Sequence, residues 1–260
     1  MNKINSKYKD FAEKTVIATT TFYKPGSESD KVRAELSRRF VKRATDLGYD
    51  VMIVDGGSAE ELLKEYERYG AKVFEEEKMQ VTNTIGRGRR QAIREAFNIG
   101  KNVVAWIEPE KEPYIPELIK TVEPVIDGID IVVPKRKSLE SYPHPQKMAE
   151  NSGNRFWAAL TKTELDVWFG PRTFKNEIAE YFLNYKGEYG DMWDSIFIPV
   201  MNAIYDSKSV ISIEVDYVHP ESQRIIEEKD PQFSEKRLKQ LDNLTESLYK
   251  HWRAMSKKGE

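Results

Sequence analysis

The sequence predicts an α/β fold with a mostly parallel sheet that is covered by helices on both faces. Three observations support this prediction. Short apolar segments alternate with amphipathic helical segments through the first half of the chain. The apolar segments are nearly continuous, which is typical of strands that are buried on both faces. The turns between them carry Gly, Pro and Ser, residues that interrupt regular structure.

Five strands are predicted in the first half, and helices fall between them. The strands are expected at residues 15–20, 50–55, 70–74, 102–107 and 129–133, and the last two helices at about 87–99 and 115–126. Ser27 or Ser29 is the expected N-cap of the first helix, which ends at Gly48. Ser58 and Glu61 have the spacing of a capping box and predict the start of the second helix.

The second half of the chain has a different pattern. Residues 135–150 are rich in Lys, Pro, Ser and His, and we expect them to form a mobile loop. Helices are predicted near 146–162, 174–184 and 192–205, followed by a strand at 210–215. An apolar stripe with helical spacing then predicts a C-terminal helix that packs on the core.

The composition excludes several classes of function. The 260 residues include 41 basic and 43 acidic side chains, so the net charge of -2 gives no global attraction to nucleic acid. There is no cysteine, which excludes disulfides, thiolate metal sites and cysteine nucleophiles. We see no signal peptide and no apolar segment of the ~20 residues that cross a bilayer. We therefore expect a cytoplasmic protein whose contact with a membrane, if any, is peripheral.

Two carboxylates at the end of the fourth strand are the best single functional signal. Glu108 and Glu110 are separated by one residue, so on an extended chain they point the same way. Both could then reach one divalent cation, which would neutralise a diphosphate leaving group. The alternative interpretation is a solvated acidic turn.

Other candidate residues follow the second and third strands. Asp55 ends a strand and could accept a hydrogen bond from a base or ribose, or could serve only in a turn. Gly86 and Gly88 open a helix in which Arg87 and Arg90 could bind a diphosphate. A solvated basic face is the alternative, and this local cluster is the only feature that favours nucleic acid.

Four further candidate residues lie in the second half. Asp191 and Asp194 open a helix, where one carboxylate could cap it and the other could act as a general base toward an acceptor hydroxyl. His219 follows the last strand and could be a third metal ligand or an ordinary packed histidine. Arg172 lies in a turn that could belong to an active site.

Taken in order, these segments resemble the family 2 glycosyltransferases, which have the GT-A fold. The resemblance covers roughly residues 14–225. It is carried by VDGGS at 54–58, GRG at 86–88, EPE at 108–110 in place of the family's Asp-x-Asp metal motif, and GPRTF at 170–174. Glu stands for Asp at both ends of the metal motif, which lengthens each carboxylate arm by one methylene.

The resemblance implies one GT-A domain over residues 1–260. Residues 14–134 would bind the nucleotide-sugar, residues 135–225 the acceptor, and residues 226–260 would form a C-terminal helix. The implied donor is a UDP- or GDP-sugar, and the acceptor is a small molecule, a lipid phosphate or a glycan. The implied cofactor is Mg²⁺ or Mn²⁺, and a homodimer is compatible with this arrangement.

The implied site residues fall into four groups. The residues that would face the donor are Thr20, Thr21, Asp55, Arg87, Arg90 and Glu108. Glu110 and His219 would hold the metal. Asp191 and Asp194 would act on the acceptor as catalytic groups, and Arg172 would bind it. Three alternatives stay open: a nucleotidyltransferase, a nucleotide-sugar-binding protein without catalysis, and a metal-independent transferase that uses Arg87 and Lys111.

Overall fold

The computed structural model describes residues 3–78 and 84–257, in which seven strands form one sheet with helices on both faces. The strands are β1 (Thr15–Thr21), β2 (Asp50–Asp55), β3 (Lys72–Glu75), β4 (Val103–Trp106), β5 (Ile131–Arg136), β6 (Arg172–Lys175) and β7 (Val210–Val215). The α-helices are α1 (Lys3–Glu13), α2 (Glu28–Asp46), α3 (Glu60–Arg68), α4 (Ile85–Asn98), α5 (Leu118–Ile126), α6 (His144–Thr161), α7 (Ala179–Leu183), α8 (Ile198–Tyr205), α9 (Glu221–Lys229) and α10 (Pro231–Ser256). The predicted fold class is confirmed.

The direction of the strands decides which residues meet at the edge of the sheet. The spatial order is β3-β2-β1-β4-β6-β5-β7, and β6 runs antiparallel to β4 and β5 while the other neighbouring strands are parallel. The first residue of β6, Arg172, is therefore paired with the last residue of β4, Trp106. Ligands of such sheets bind at the carboxyl ends of the parallel strands. In this chain the start of β6 lies at that same edge.

The sheet separates two hydrophobic cores because successive strand residues point to opposite faces. On β1, Val16 and Ala18 face one core, whereas Ile17 faces the other. The first core is covered by α4, α6, α7, α8 and α10. The second is covered by α1, α2, α3 and α5. Both faces of the central strands are buried, which explains their continuous apolar sequence.

The start of α3 differs from the prediction. Ser58 and Glu61 do not form a capping box: Ala59 is the N-cap and has no side-chain hydrogen bond. The hydroxyl of Ser58 instead accepts a hydrogen bond of 3.0 Å from the backbone N–H of Tyr23. The serine therefore joins the ends of β1 and β2. By contrast, Ser27 caps α2 and Gly48, with φ of 89°, ends it, as predicted.

Two segments of the second half are more regular than expected. Residues 172–175 form β6 rather than the start of a helix, because Thr173 and Phe174 pair with strands on both sides. Within the predicted loop at 135–150, β5 continues to Arg136 and α6 begins at His144. Arg136 is buried and bound to Asp166, which holds this segment against the body of the protein.

The predicted C-terminal helix is present as α10, and residues 258–260 of its predicted range lie outside the described residues. Leu244 and Leu248 of this helix are buried in the core, as the apolar stripe predicted. None of the helices in the described part of the chain combines the length and the apolar character that crossing a bilayer requires.

Candidate functional site

A cleft lies between the end of β1, the turn after β2 and the start of α4. The carboxylate of Glu76 extends across it. A Cβ built on Gly56 would lie 3.2 Å from one carboxylate oxygen of Glu76, and a Cβ on Gly88 would lie 3.1 Å from the other. The same point at Gly88 is 3.6 Å from the methyl group of Thr20. The Glu76 carboxylate therefore packs against both glycines, where a larger residue would crowd it.

Asp55 lies beneath this cleft, and its carboxylate is engaged by the protein itself. One oxygen accepts a hydrogen bond of 2.7 Å from the hydroxyl of Thr21. The other accepts bonds of 2.7 Å from the backbone N–H groups of Gly57 and Ser58. With 3% of the residue exposed, Asp55 holds the turn in shape. Its predicted contact with a nucleoside, and that of Thr21, stay predictions.

Arg90 and Asp191 form an ion pair at the start of α4. Arg90 makes two hydrogen bonds to the Asp191 carboxylate, one of them 2.8 Å long, and Thr84 donates a further one. A Cβ on Gly86 would overlap the side chain of Asp191, whose backbone carbonyl accepts a hydrogen bond of 2.8 Å from Gly86. Gly86 is thus needed for the approach of Asp191. Both charged groups are paired within the protein, so neither faces a ligand unpaired.

Asp194 is also bound internally. Its carboxylate accepts a hydrogen bond of 2.6 Å from the backbone N–H of Met192 and another from the hydroxyl of Tyr185. Burial, reinforced by this hydrogen bond, raises the pKa of Tyr185. Asp194 is 3% exposed. Its contacts fix the short 3₁₀ turn at 193–196, and the proposed role as a general base stays a prediction.

Glu108 lies at the tip of β4 against the turn that precedes β6. A Cβ on Gly170 would overlap its carboxylate. Oε2 of Glu108 is buried without a hydrogen-bond partner, and it is the only carboxylate oxygen of which this holds among residues 3–78 and 84–257. A buried acceptor without a donor costs free energy, which is why such atoms often mark ligand sites.

Cations surround this carboxylate. Arg89 and Arg172 both interact with Glu108, and burial lowers the pKa of Arg172 to about 10 and also lowers that of Arg89. Lys111 lies 4.9 Å from the ring centre of Phe169 and forms no ion pair with a described carboxylate. Burial acts to lower the pKa of Lys111, but nearby oxygens, those of Tyr142 and Glu108 foremost, leave it raised. Cations and carboxylates are therefore intermixed at the strand tips, and Lys111 is a cation there without an ion pair among the described residues.

Arg172 shows how tightly the start of β6 is packed. The residue is 0% exposed, and its guanidinium donates hydrogen bonds of 2.8 and 2.6 Å to the carbonyls of Pro171 and Val167. Its Nε has no hydrogen-bond partner among the described residues. The predicted contact with an acceptor would have to be made through this buried edge of the guanidinium.

Each of the two predicted metal ligands has another partner within the protein. Glu110 accepts hydrogen bonds from Arg33, at 2.7 Å, and from the hydroxyl of Tyr23, at 3.0 Å. His219 bonds to Glu227 at 2.9 Å, and burial lowers the pKa of its imidazole. Within the described part of the chain, no three His, Asp or Glu side chains are placed to hold a metal ion. The role of Glu110 and His219 as metal ligands stays a prediction.

Several residues of the cleft escaped the sequence analysis. Glu76 follows the end of a short strand, and nothing in the local sequence distinguishes it from neighbouring acidic residues. Phe22 is 50% exposed at the end of β1, and an aromatic residue directly after a buried strand is a signal that could have been used. Arg33 and Arg89 lie within helices, where a basic residue is unremarkable in sequence. Only the tertiary structure shows what these residues face.

Comparison with known proteins identifies the fold. No protein-family model and no curated protein matches the chain. Among solved structures, glucosyl-3-phosphoglycerate synthase from Mycobacterium tuberculosis with Mn²⁺, UDP-glucose and phosphoglyceric acid matches with a TM-score of 0.60 and 11% identity, covering 88% of this chain and 83% of that one. The same synthase with Mg²⁺ and UDP matches with a TM-score of 0.57 and 11% identity over the same shares. The fold is GT-A. At this identity the GT-A likeness shows the architecture, and the site must be argued from its own residues.

Proposed function

We propose that this GT-A chain transfers a sugar from a nucleoside diphosphate sugar to a hydroxyl or phosphate acceptor. The observation that carries the proposal is the buried, partnerless oxygen of Glu108 at the carboxyl edge of the sheet, with cations around it. Arg89, Lys111 and Arg172 all interact with this carboxylate, and further carboxylates lie near each of them. Cationic side chains suit a diphosphate, and the acceptor oxygen of Glu108 suits a hydroxyl of the bound donor.

In the proposed reaction, the bond between the anomeric carbon and the diphosphate oxygen breaks as the acceptor oxygen bonds to that carbon. The proton of a hydroxyl acceptor passes to solvent water, and negative charge develops on the departing diphosphate. The ammonium of Lys111, placed over Phe169, would counter that charge without a reorganisation of solvent. Arg87, at the start of α4 and close to Glu76, is proposed to contribute from the other side of the cleft.

The role of a divalent ion is a separate question. The solved structures of the mycobacterial synthase contain Mn²⁺ or Mg²⁺. In this chain, binding an ion at Glu110 would require that carboxylate to leave Arg33. A metal-independent transferase therefore fits the observed contacts better, and turnover measured with EDTA and then with added Mn²⁺ distinguishes the two.

The direct test is release of a nucleoside diphosphate from UDP-glucose or GDP-mannose, with 3-phosphoglycerate as the first acceptor because the structural neighbour binds it. We expect Lys111→Met to lower turnover by about 100-fold, because one stabilising charge is lost. The fold should stay intact by circular dichroism. Lys120→Met is the matched control, since Lys120 is an exposed lysine that is already paired with Glu117. This variant should have the turnover of the wild type.

Other outcomes would assign a different function. Release of pyrophosphate in place of a nucleoside diphosphate would indicate a nucleotidyltransferase. Donor binding without turnover for any acceptor would indicate a binding protein. An equal loss of turnover in Lys111→Met and Lys120→Met would show that Lys111 has no specific role in the site. The acceptor class, the homodimer and the cytoplasmic location stay predictions of the sequence.

A further inference from the structure

We propose that the cleft between Phe22 and Glu76 binds the guanine base of the donor, so that the sugar nucleotide is a GDP-sugar. The inference rests on the proposed function and adds the identity of the base. It starts from the convergence of an aromatic ring and a carboxylate over one glycine. A Cβ on Gly56 would lie 3.2 Å from Oε2 of Glu76 and 3.5 Å from Cδ2 of Phe22.

Two glycines form the base of this cleft. Gly56 and Gly57 form the turn after β2, and the Phe22 ring lies 3.8 Å from where a Cβ on Gly57 would be. The turn also borders a pocket of about 560 Å³, which Glu76 lines as well. Because neither glycine carries a side chain, the carboxylate of Glu76 and the ring of Phe22 come close enough for one flat ring to contact both.

Phe22 provides a stacking surface. Half of the residue is exposed, although the strand that precedes it is buried. The ammonium of Lys24 lies 5.6 Å from its ring centre, on the outer side of the chain. Stacking of a base on an exposed aromatic ring contributes roughly 1–3 kcal/mol of binding free energy per base. This contribution does not depend on which base is bound. Phe22 therefore supplies affinity, and the choice of base must come from another group.

Glu76 is the group that can discriminate between bases. Its carboxylate receives no hydrogen bond and forms no ion pair within residues 3–78 and 84–257. Asp55, the carboxylate next to it, is already engaged by Thr21 and by two backbone N–H groups. Burial, opposed by Arg87 and supported by Asp55, raises the pKa of Glu76, as expected for a carboxylate that lacks donors. It is thus the available acceptor at the edge of the cleft.

Guanine matches this acceptor better than other bases do. Guanine presents two neighbouring donors on one edge, the ring N1–H and the exocyclic N2 amino group, and a carboxylate can accept both at once. Uracil presents one N–H between two carbonyl oxygens, which a carboxylate repels. Adenine presents a donor beside a ring acceptor. Charge-assisted paired hydrogen bonds are the strong kind, so the difference should be large.

The test compares nucleotides that differ by one group. Binding of GDP, IDP, UDP and ADP is measured by isothermal titration calorimetry on the full chain at pH 7.5. IDP lacks only the N2 amino group. We expect GDP to bind at least about tenfold more tightly than UDP or ADP, with IDP between them. Glu76→Gln should weaken the binding of GDP by about tenfold and remove the difference in affinity between GDP and IDP.

Two variants make the test specific. Glu75→Gln changes the adjacent carboxylate, which is 75% exposed and paired with Lys78, and should leave all four affinities unchanged. Phe22→Ala should weaken all four nucleotides by a similar factor, because stacking does not depend on the base. Tighter binding of UDP or ADP than of GDP would overturn the guanine assignment and leave the proposed function standing. Unchanged GDP affinity in Glu76→Gln would also overturn it. Failure of every nucleotide to bind would overturn both proposals.

Discussion

Burial disfavours the charged form of Glu76, whose carboxylate accepts no hydrogen bond from a described residue. The pKa of this group is raised above its ordinary value in the folded chain. A carboxylic acid with a raised folded pKa binds its proton more tightly when folded than when unfolded. Its contribution to stability is therefore favourable at low pH and is lost as the pH rises through the folded pKa. At neutral pH the buried charge of Glu76 therefore lowers the stability of the fold. Such a loss of stability is common where a side chain serves binding.

The first prediction at this scale concerns stability. Glu76→Gln should raise the melting temperature at pH 7, by no more than a few degrees because the group is only half-buried. The gain should shrink as the pH falls below the ordinary pKa of glutamate, where the wild-type carboxyl is protonated. Thermal melts from pH 4 to pH 8 would show this. A gain that is constant over that range would contradict the assignment of the raised pKa to Glu76.

The sequence identified acidic residues of the right type, and it could not show how each is satisfied. Asp55 was predicted to face a nucleoside because it ends a strand before two glycines. Its hydrogen-bond donors include Thr21, which is distant in sequence. Asp191 is bound by Arg90, 101 residues away. Whether a carboxylate is free depends on such long-range partners, and these are fixed by the tertiary fold.

At the scale of elements, the ion pair of Arg90 and Asp191 fastens the segment before α8 to the first turn of α4. The side chains are 19% and 14% exposed, so the pair is largely shielded from solvent. We expect Arg90→Met to lower the free energy of unfolding by about 1–3 kcal/mol, because the carboxylate loses charged hydrogen bonds. Urea denaturation measures this.

A double-mutant cycle separates the pair from other effects. Arg90→Met combined with Asp191→Asn should cost less than the sum of the two single changes, since both remove the same interaction. Arg94→Met is the matched control on the same helix, where the arginine pairs with Glu77 at the surface and should contribute little. Strict additivity in the cycle would show that the two residues act independently.

Elements with a continuous apolar or strongly repeating pattern were predicted well, whereas β6 was not. The first five strands were placed within a few residues, because their apolar runs are continuous. The strand at Arg172–Lys175 has only four residues, and the sequence after it continues with helical character. Its strand conformation depends on pairing with β4 and β5, which local sequence does not reveal.

At the scale of the whole molecule, Arg136 connects three parts of the chain. It lies at the end of β5, donates hydrogen bonds of 2.8 and 2.7 Å to Asp166, and bonds to Glu150 of α6. Only 1% of its side chain is exposed. Removing the cation would leave two buried carboxylates unpaired.

We expect Arg136→Met to cost about 3–5 kcal/mol of unfolding free energy, because breaking a buried ion pair on one side leaves uncompensated charge. Denaturant unfolding at neutral pH measures the loss. Lys135→Met, at the adjacent exposed position, should change stability by less than about 0.5 kcal/mol. Similar stability of the two variants would mean that Asp166 and Glu150 find other partners.

The overall architecture could be predicted because it depends on features that repeat along the chain. Alternating strands and helices and the polarity of the strand ends were sufficient for the α/β class and for placing the candidate residues at one edge of the sheet. The identity of the residues that face one another across that edge was not predictable in the same way. Arg33 at Glu110 is an example, since a helix residue 77 positions earlier forms an ion pair with the carboxylate that was predicted to hold a metal ion.

The reversed direction of β6 decides how the two halves of the chain are joined at the edge of the sheet. Glu108 follows the end of β4, and Arg172 begins β6, so these neighbours are separated by a long stretch of the backbone. The pairing of Trp106 with Arg172 closes that stretch, which contains α5, β5 and α6, into a loop whose two ends lie side by side. The second half of the chain is therefore joined to the tip of β4 through an antiparallel pair of strands.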